Sequence, residues 1–172
     1  MKKWIILLSV VLLVAGFGVY TTMTSSSEQT EKQQHNLQLQ PGTYKVEYDQ
    51  ADFRGWKAFF SMEVNQEGTM QNIVFDYSDP AGGLKTKNLT YSQTMKKKTG
   101  VGPIEYCPRF AKNLEIYQNP YQVDAITGAT MSSRDFKVFA NAAYEAAKSG
   151  NTATIYIPQP EVKNYSAEEK KK

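Results

Sequence analysis

One threonine hydroxyl in this sequence lies where a phosphate group could be attached and stabilised. Thr130 ends the run Asp-Ala-Ile-Thr-Gly-Ala-Thr, residues 124–130, and a strongly amphipathic segment follows it. The start of a helix offers unpaired backbone N–H groups and the positive end of the helix dipole, which both favour an anion. Because a free threonine hydroxyl is a weak nucleophile, joining it to phosphate requires an outside catalyst.

The residues after Thr130 predict where the helix begins. Ser132 and Asp135 have the spacing of a capping box, with Asp in place of the usual Glu. We therefore expect Ser132 to be the N-cap and Thr130 to lie in the loop two residues before it. An ordinary strand-to-helix turn remains the alternative, with Gly128 present only for its backbone freedom.

The full run resembles the flavinylation motif of the FMN-binding domain family. The resemblance implies that FMN is joined through its phosphate to Thr130. It also implies a separate magnesium-dependent flavin transferase, which takes the FMN from FAD and recognises a sequence that includes Asp124. Thr127 occupies a position where the family has Ser or Thr. Gly128 and Ala129 are expected to leave space for the transferase and for the ribityl phosphate.

The flavin ring needs an apolar, partly aromatic site. Residues 99–106 look like a loop that flavinylated exported proteins of Gram-positive bacteria carry at a similar distance before the motif. Gly102 and Tyr106 are therefore our candidates for neighbours of the flavin, with core packing as the alternative for Tyr106. Tyr77 and the glycine pair at 82–83 are weaker candidates.

The N-terminus predicts export. Lys2 and Lys3 precede residues 4–27, which contain no charged residue, and the apolar part at 4–20 covers 17 positions. That length is near the lower limit for a bilayer core of roughly 30 Å. A signal anchor is favoured over a cleavable signal peptide, and either one places the domain outside the cytoplasm. Since no cysteine lies near the end of the apolar run, a lipid anchor is not expected.

Composition divides the rest of the chain into three parts. Residues 28–40 form a polar spacer, residues 41–160 an FMN-binding domain, and residues 161–172 a charged tail. Within the domain, period-2 alternation predicts three strands, at 43–48, 58–64 and 70–77, and the β-branched segment 152–157 predicts a fourth.

Helices are expected to cover this sheet. They are predicted at 88–98, from Pro108 onwards, and across the amphipathic segment that follows Thr130 and stops at Gly150. Pro108 is assigned to the first turn of the second helix. The predicted fold class is α+β, an antiparallel β-meander covered by helices, with the attachment turn leading into a long amphipathic helix.

Charge and cysteine content exclude several classes. The net charge is +3, and without Lys2 and Lys3 there are 18 basic and 17 acidic residues, so the exported part has a net charge of only +1. A nucleic-acid partner is therefore not expected. Cys107 is the only cysteine, so there is no internal disulfide. It is expected to be a small buried hydrophobic residue, with an exposed redox or pairing thiol as the alternative.

The sequence thus predicts a membrane-anchored, extracytoplasmic electron carrier with one covalent FMN. Its expected partners are the flavin transferase and a membrane reductase or quinol-linked electron donor. By motif it is related to the flavin subunits of sodium- and proton-pumping membrane redox complexes. Two alternatives remain: a flavin-dependent reductase of a small acceptor, for which Arg54 and Arg109 are candidate binding residues, and a non-redox surface binding module.

Overall fold

The computed structural model describes residues 38–161. The predicted signal segment, most of the spacer and all but the first residue of the charged tail lie outside the described residues. Among the residues that are described, no helix has both the length and the apolar character needed to cross a membrane.

Four strands form one mixed sheet with the order β3-β2-β1-β4. They are β1 (Gly42–Tyr48), β2 (Lys57–Val64), β3 (Met70–Ser78) and β4 (Ile155–Ile157). The first three are antiparallel neighbours, as the predicted meander requires. β4 is shorter than the strand predicted at 152–157, because it has only three residues, and it pairs in parallel with β1. The ladder ends where Pro158, which has no N–H to donate, follows the strand.

Within residues 38–161, three helices and two short 3-10 turns complete the α+β fold, which confirms the predicted class. The helices are α1 (Leu89–Thr99), α2 (Pro103–Tyr117) and α3 (Thr130–Ser149), and the 3-10 turns are Lys85–Lys87 and Pro120–Gln122. α3 packs across β1 and β2, and α2 packs across β3. The helices therefore cover the buried face that the alternating strands present.

Phe136 of α3 lies at the centre of the core, where the sheet and both of these helices meet. Its ring is stacked on Phe110 of α2 with the centroids 4.8 Å apart. It also makes edge contacts with Phe75 at 5.4 Å and Phe60 at 5.9 Å. Because aromatic rings bury much area in defined geometries, this cluster fixes α3 relative to the sheet.

The second helix begins earlier than predicted. α2 starts at Pro103, and Pro108 lies inside it, so the assignment of Pro108 to the first turn is wrong. The Glu105 carboxylate accepts a hydrogen bond from the Gly102 N–H (3.1 Å), and proline at the first helical position leaves no N–H unpaired. Pro108, inside the helix, has no N–H and therefore removes one backbone hydrogen bond from it.

Cys107 is buried as expected, with 1% of its surface exposed. Burial raises the pKa of its thiol, and the nearby Asp76 carboxylate raises it further. The thiol is therefore protonated and inert at neutral pH.

Candidate functional site

Thr130 is the first residue of α3, and no side chain caps this helix start. Ala129 is the N-cap residue, and its side chain can accept no hydrogen bond. The predicted capping box is therefore wrong. Ser132 and Asp135 both lie within the helix and are only 7% and 8% exposed. Because no capping side chain occupies the first turn, its backbone N–H groups remain available to an anion.

Ser133 holds the turn before α3 in place. Its hydroxyl accepts a hydrogen bond from the Ile126 N–H (3.1 Å) and donates one to the Ala129 carbonyl (2.8 Å). The Ala129 N–H in turn donates to the Ile126 carbonyl (2.9 Å). These bonds close the chain from Ile126 to Ser133 on itself, so the position of the intervening Thr130 is fixed from both sides.

Gly128 is required at its position for two independent reasons. Its φ is +82°, a conformation that L side chains rarely adopt. A Cβ atom there would also lie 2.1 Å from the carbonyl oxygen of Thr99, at the end of α1. The motif glycine therefore allows the turn to pack directly on α1, in addition to any space it leaves for a ligand.

Thr130 is exposed and lies on a cleft of about 350 Å³. The cleft is lined by residues 52–54 between β1 and β2, by Tyr77 and Lys85, by one side of α1, by Tyr106 of α2, and by the start of α3. Elements far apart in sequence thus meet around the exposed hydroxyl. A second cavity of about 550 Å³, between β3, α1 and α2, does not include Thr130.

Lys85 is a buried cation in the wall of this cleft. The residue is only 5% exposed, and its ammonium nitrogen lies 3.8 Å from the ring centroid of Tyr77, 5.3 Å from that of Tyr91 and 5.5 Å from that of Trp56. Burial lowers the pKa of Lys85, and the negative charge of Asp52 opposes that shift. The three rings stabilise the cation without neutralising its charge.

Asp135 joins the sheet to the cleft through two tyrosines. Its carboxylate accepts hydrogen bonds from the hydroxyl groups of Tyr48 (2.8 Å) and Tyr77 (3.0 Å). Burial raises the pKa of Asp135, and the two hydrogen bonds lower it in part. The pKa values of both tyrosines are raised, chiefly by burial. This network positions Tyr77, the residue that also contacts Lys85.

Tyr106 lies where α2 meets α3. It is only 3% exposed, yet it lines the cleft, so its ring serves the core and the cleft together. Burial raises the pKa of its phenol, and the Ser132 hydroxyl lowers it in part. Both alternatives for Tyr106 are therefore compatible with its position.

The predicted site residues fall into two groups. Gly128, Ala129, Thr130 and Tyr106 line the cleft, together with the weaker candidate Tyr77.

The other predicted residues lie outside the lining. Asp124 and Thr127 are exposed on the approach to the turn. Gly102 lies against α1, where a Cβ atom would come within 2.6 Å of the Ser92 carbonyl oxygen. The Gly82–83 pair belongs to the loop after β3 and does not reach the cleft either.

Among the cleft residues that were not predicted, four are charged: Asp52, Lys85, Arg134 and Asp135. Asp135 carried a signal, because it lies four residues before Phe139 and so belongs to the apolar side of the helix. Arg134 lies four residues after Thr130, which places the two on one side of α3. Lys85 carried no local signal, since only the tertiary structure surrounds it with rings.

No group of histidine, cysteine and acidic side chains suited to a metal ion is found in the part of the chain that the structure describes. The charges around the cleft are those of Arg54, Lys85 and Arg134 against Asp52 and Asp135. The arrangement therefore suits an anionic, partly aromatic ligand.

Comparison with known proteins agrees with this geometry. The chain is 33% identical over 114 residues to the 15 kDa lipoprotein of Treponema pallidum, covering 66% of this chain and 80% of that protein. It is also similar to the crystal structure of the CPE2226 protein from Clostridium perfringens, with a TM-score of 0.67 and 32% identity over 71% of this chain and 99% of that one. The model of the FMN-binding domain matches residues 55–145, which include the Thr130 turn and most of the residues that line the cleft. The chain belongs to the FMN-binding domain family.

Proposed function

We propose that this protein is an extracytoplasmic electron carrier that bears one FMN, joined by a phosphoester bond to Thr130. The observation that carries the proposal is the placement of Thr130. Its side chain is exposed on the uncapped first turn of a 20-residue helix, at the edge of a cleft that contains a buried cation.

Attachment would be a phosphoryl-group transfer from FAD to Thr130. Thr130 Oγ forms a bond to the phosphorus of the FMN half of FAD, the pyrophosphate bond breaks, and AMP leaves. The hydroxyl proton passes to a base of the magnesium-dependent transferase, since threonine is not nucleophilic on its own. An exposed hydroxyl on a rigid turn suits this reaction, because the second enzyme must reach it.

The start of α3 suits the phosphodiester that results. The diester keeps one negative charge, which an uncapped helix N-terminus stabilises by about 0.3–1 kcal/mol. Arg134 lines the same cleft one helical turn after Thr130 and adds a positive charge on that side. Together they would orient the phosphate end of the cofactor.

The residues of the cleft fit the remainder of FMN. A volume of about 350 Å³ is within the range of cofactor sites. Aromatic surface is offered by Tyr77, Tyr91 and Tyr106, and positive charge by the buried Lys85. FMN, when bound, supplies exchange of electrons singly or in pairs, and the protein sets its potential and its access to solvent.

An extracytoplasmic position is supported by two observations. The apolar run at 4–20 follows Lys2 and Lys3, and the related Treponema pallidum protein is described as a lipoprotein. A membrane tether would raise the local concentration of the domain near a membrane reductase or a quinol-linked donor. We propose these classes as its electron donors.

Intact-mass measurement tests the attachment. Residues 28–172 are produced with and without a flavin transferase, as the original sequence and as the Thr130→Ala variant. We expect a mass gain of FMN less one water only when both the transferase and Thr130 are present. Thr94→Ala is the matched control, because Thr94 is an exposed threonine on α1 away from the cleft.

Two results would contradict the proposal. One is an adduct that persists in Thr130→Ala, which would place the flavin elsewhere. The other is the absence of any adduct or yellow colour in every sample, which would favour a non-redox binding module.

A flavin-dependent reductase of a small anionic acceptor is the second candidate. Arg54 and Arg134 both line the cleft, which is the arrangement that binding of an anionic substrate requires. Stopped-flow oxidation of the reduced protein separates the two functions. A carrier reacts with many acceptors in the order of their potentials, whereas a reductase reacts fastest with one acceptor and loses that preference in Arg54→Gln.

A further inference from the structure

Lys85 has surroundings unlike those of the paired lysines. Four lysines of the described region form ion pairs with glutamates at the protein surface, at positions 57, 96, 112 and 148. Within residues 38–161 the Lys85 ammonium forms no ion pair, although the residue is 95% buried. Its neighbours are the rings of Tyr77, Trp56 and Tyr91.

Asp52 and Asp135, the acidic groups whose negative charge acts on Lys85, form no ion pair with it in the described region and accept hydrogen bonds from other groups. Asp52 accepts hydrogen bonds from the N–H groups of Arg54 and Trp56. Asp76 accepts from the N–H and hydroxyl of Thr86, and Asp135 from its two tyrosines. A buried cation without a directly paired carboxylate is costly, and the contacts that stabilise the Lys85 ammonium are those with the three rings.

That charge lies in the wall of the same cleft as Thr130. Tyr77 connects the two, because its ring lies 3.8 Å from the Lys85 ammonium and its hydroxyl donates to Asp135 of α3. Lys85 is therefore linked through Tyr77 and Asp135 to the helix that begins at Thr130.

We propose that Lys85 provides a fixed positive charge to the pyrimidine edge of the flavin ring, N1 and the C2 carbonyl, and so favours the reduced over the oxidised cofactor. This inference rests on the proposed function. Two electrons from an external donor and one proton from solvent give the reduced ring one net negative charge, which a desolvated cation stabilises. An ion-paired lysine would have little effect, because its partner would cancel the field.

The reduction potential of the flavinylated protein tests this. Lys85→Met keeps a side chain of similar length and removes the charge, whereas Lys85→Arg keeps it. In a dithionite titration against redox dyes, we expect Lys85→Met to decrease the equilibrium preference for the reduced flavin at least tenfold. For a two-electron couple, this factor lowers the reduction potential by about 30 mV. Lys87→Met, exposed on the same 3-10 turn, is the matched control and should leave the potential unchanged.

A second measurement reports the same charge independently of the electron donor. Addition of sulfite at flavin N5 also places negative charge on the pyrimidine edge, so its dissociation constant should rise at least tenfold in Lys85→Met and not in Lys87→Met. A lysine with only a packing role would leave both quantities unchanged. Equal potentials and equal sulfite affinities in folded Lys85→Met and the original protein would overturn the proposal.

Failure of covalent attachment gives a different result from failure of the Lys85 role. If intact mass shows no adduct on Thr130, the apoprotein is titrated with free FMN in its oxidised and its dithionite-reduced forms. Lys85 is then expected to make binding of the reduced form tighter, and Lys85→Met to abolish that difference. An apoprotein that binds both forms equally, or neither, would overturn the role of Lys85. If Lys85→Met does not fold, Lys85→Gln replaces it in each comparison.

Discussion

The first six residues of α3 and the rest of the helix bury different kinds of side chain. Residues 130–135 bury Ser132, Ser133 and Asp135, whereas Phe136, Phe139 and Ala143, in residues 136–149, are fully buried and wholly apolar. Each buried polar group must be hydrogen-bonded to avoid a desolvation penalty, and Ser133 and Asp135 make two such bonds each. Apolar burial stabilises without any requirement for direction. Residues 136–149 therefore supply stability, and the first six residues supply geometry at the Thr130 turn.

Removing a ring from the apolar part of α3, residues 136–149, should have the largest effect on stability. Phe139 is fully buried and lies 4.6 Å from the ring of Tyr48. We expect Phe139→Ala to lower the free energy of unfolding by about 3–5 kcal/mol in urea denaturation. The neighbouring Val138→Ala, with 39% exposure, should cost less than about 1 kcal/mol. If Phe139→Ala and Val138→Ala lower the free energy of unfolding equally, the buried apolar side of α3 does not stabilise the fold.

A methyl group at the motif glycine should have the next largest effect. Gly128→Ala combines a positive φ with a Cβ atom 2.1 Å from a backbone oxygen, so we expect a loss of about 2–4 kcal/mol. Gly82→Ala is the matched control, because its φ is +84° with nothing within 4 Å, and it should cost about 1–2 kcal/mol. If the two variants are equally stable, close packing on α1 does not explain the motif glycine.

Breaking the Ser133 hydrogen bonds should have a smaller effect on stability and a clear one on modification. In Ser133→Ala the buried Ile126 N–H loses its acceptor, which is expected to cost about 1–3 kcal/mol. The loosened turn should also slow flavinylation at fixed transferase concentration, followed by intact mass. Ser149→Ala removes a hydroxyl bonded only to the Ala146 carbonyl near the C-terminus of the same helix and should change neither quantity appreciably. Normal flavinylation of Ser133→Ala would show that the hydrogen bonds of Ser133 do not position Thr130.

The smallest expected effect is a difference in pH dependence. Burial raises the pKa of Asp135 above its ordinary value of 3.8, so the folded protein retains this proton to a higher pH than the unfolded chain. The resulting stabilisation is complete below pH 3.8 and is lost as the pH rises through the folded value. The stability of the original protein relative to Asp135→Asn should therefore fall as the pH rises from 4, by less than about 1.4 kcal/mol per pH unit. A relative stability that rises over this range would mean that Asp135 is stabilised as a carboxylate.

Much of the fold could be predicted from local pattern. Alternation predicted the first three strands, and the hairpin between β2 and β3 closes at Gly68, whose φ is +77° as a four-residue turn requires. The 3.6-residue period predicted α3, and Gly150 ends it with a φ of +69°. These features depend on neighbours along the chain, which a sequence displays directly.

The errors arose where tertiary contacts replaced a local rule. Ser132 and Asp135 have capping-box spacing, but buried tyrosines bind Asp135, so the helix begins two residues before the predicted cap. Pro108 suits a helix start, yet the Gly102–Pro103 pair provides an earlier one. In each case two local solutions were available, and packing selected between them.

The sequence by itself determined the family and the α+β class and favoured a buried Cys107, because these follow from residue types and their spacing. Only the tertiary structure decided that Thr130 begins α3, that Gly128 contacts α1, and that Lys85 lies among three rings beside the same cleft. The physical reason is range. Helix and strand periods are set by neighbouring residues, whereas the energy of a buried charge depends on groups that the chain brings together only when it folds.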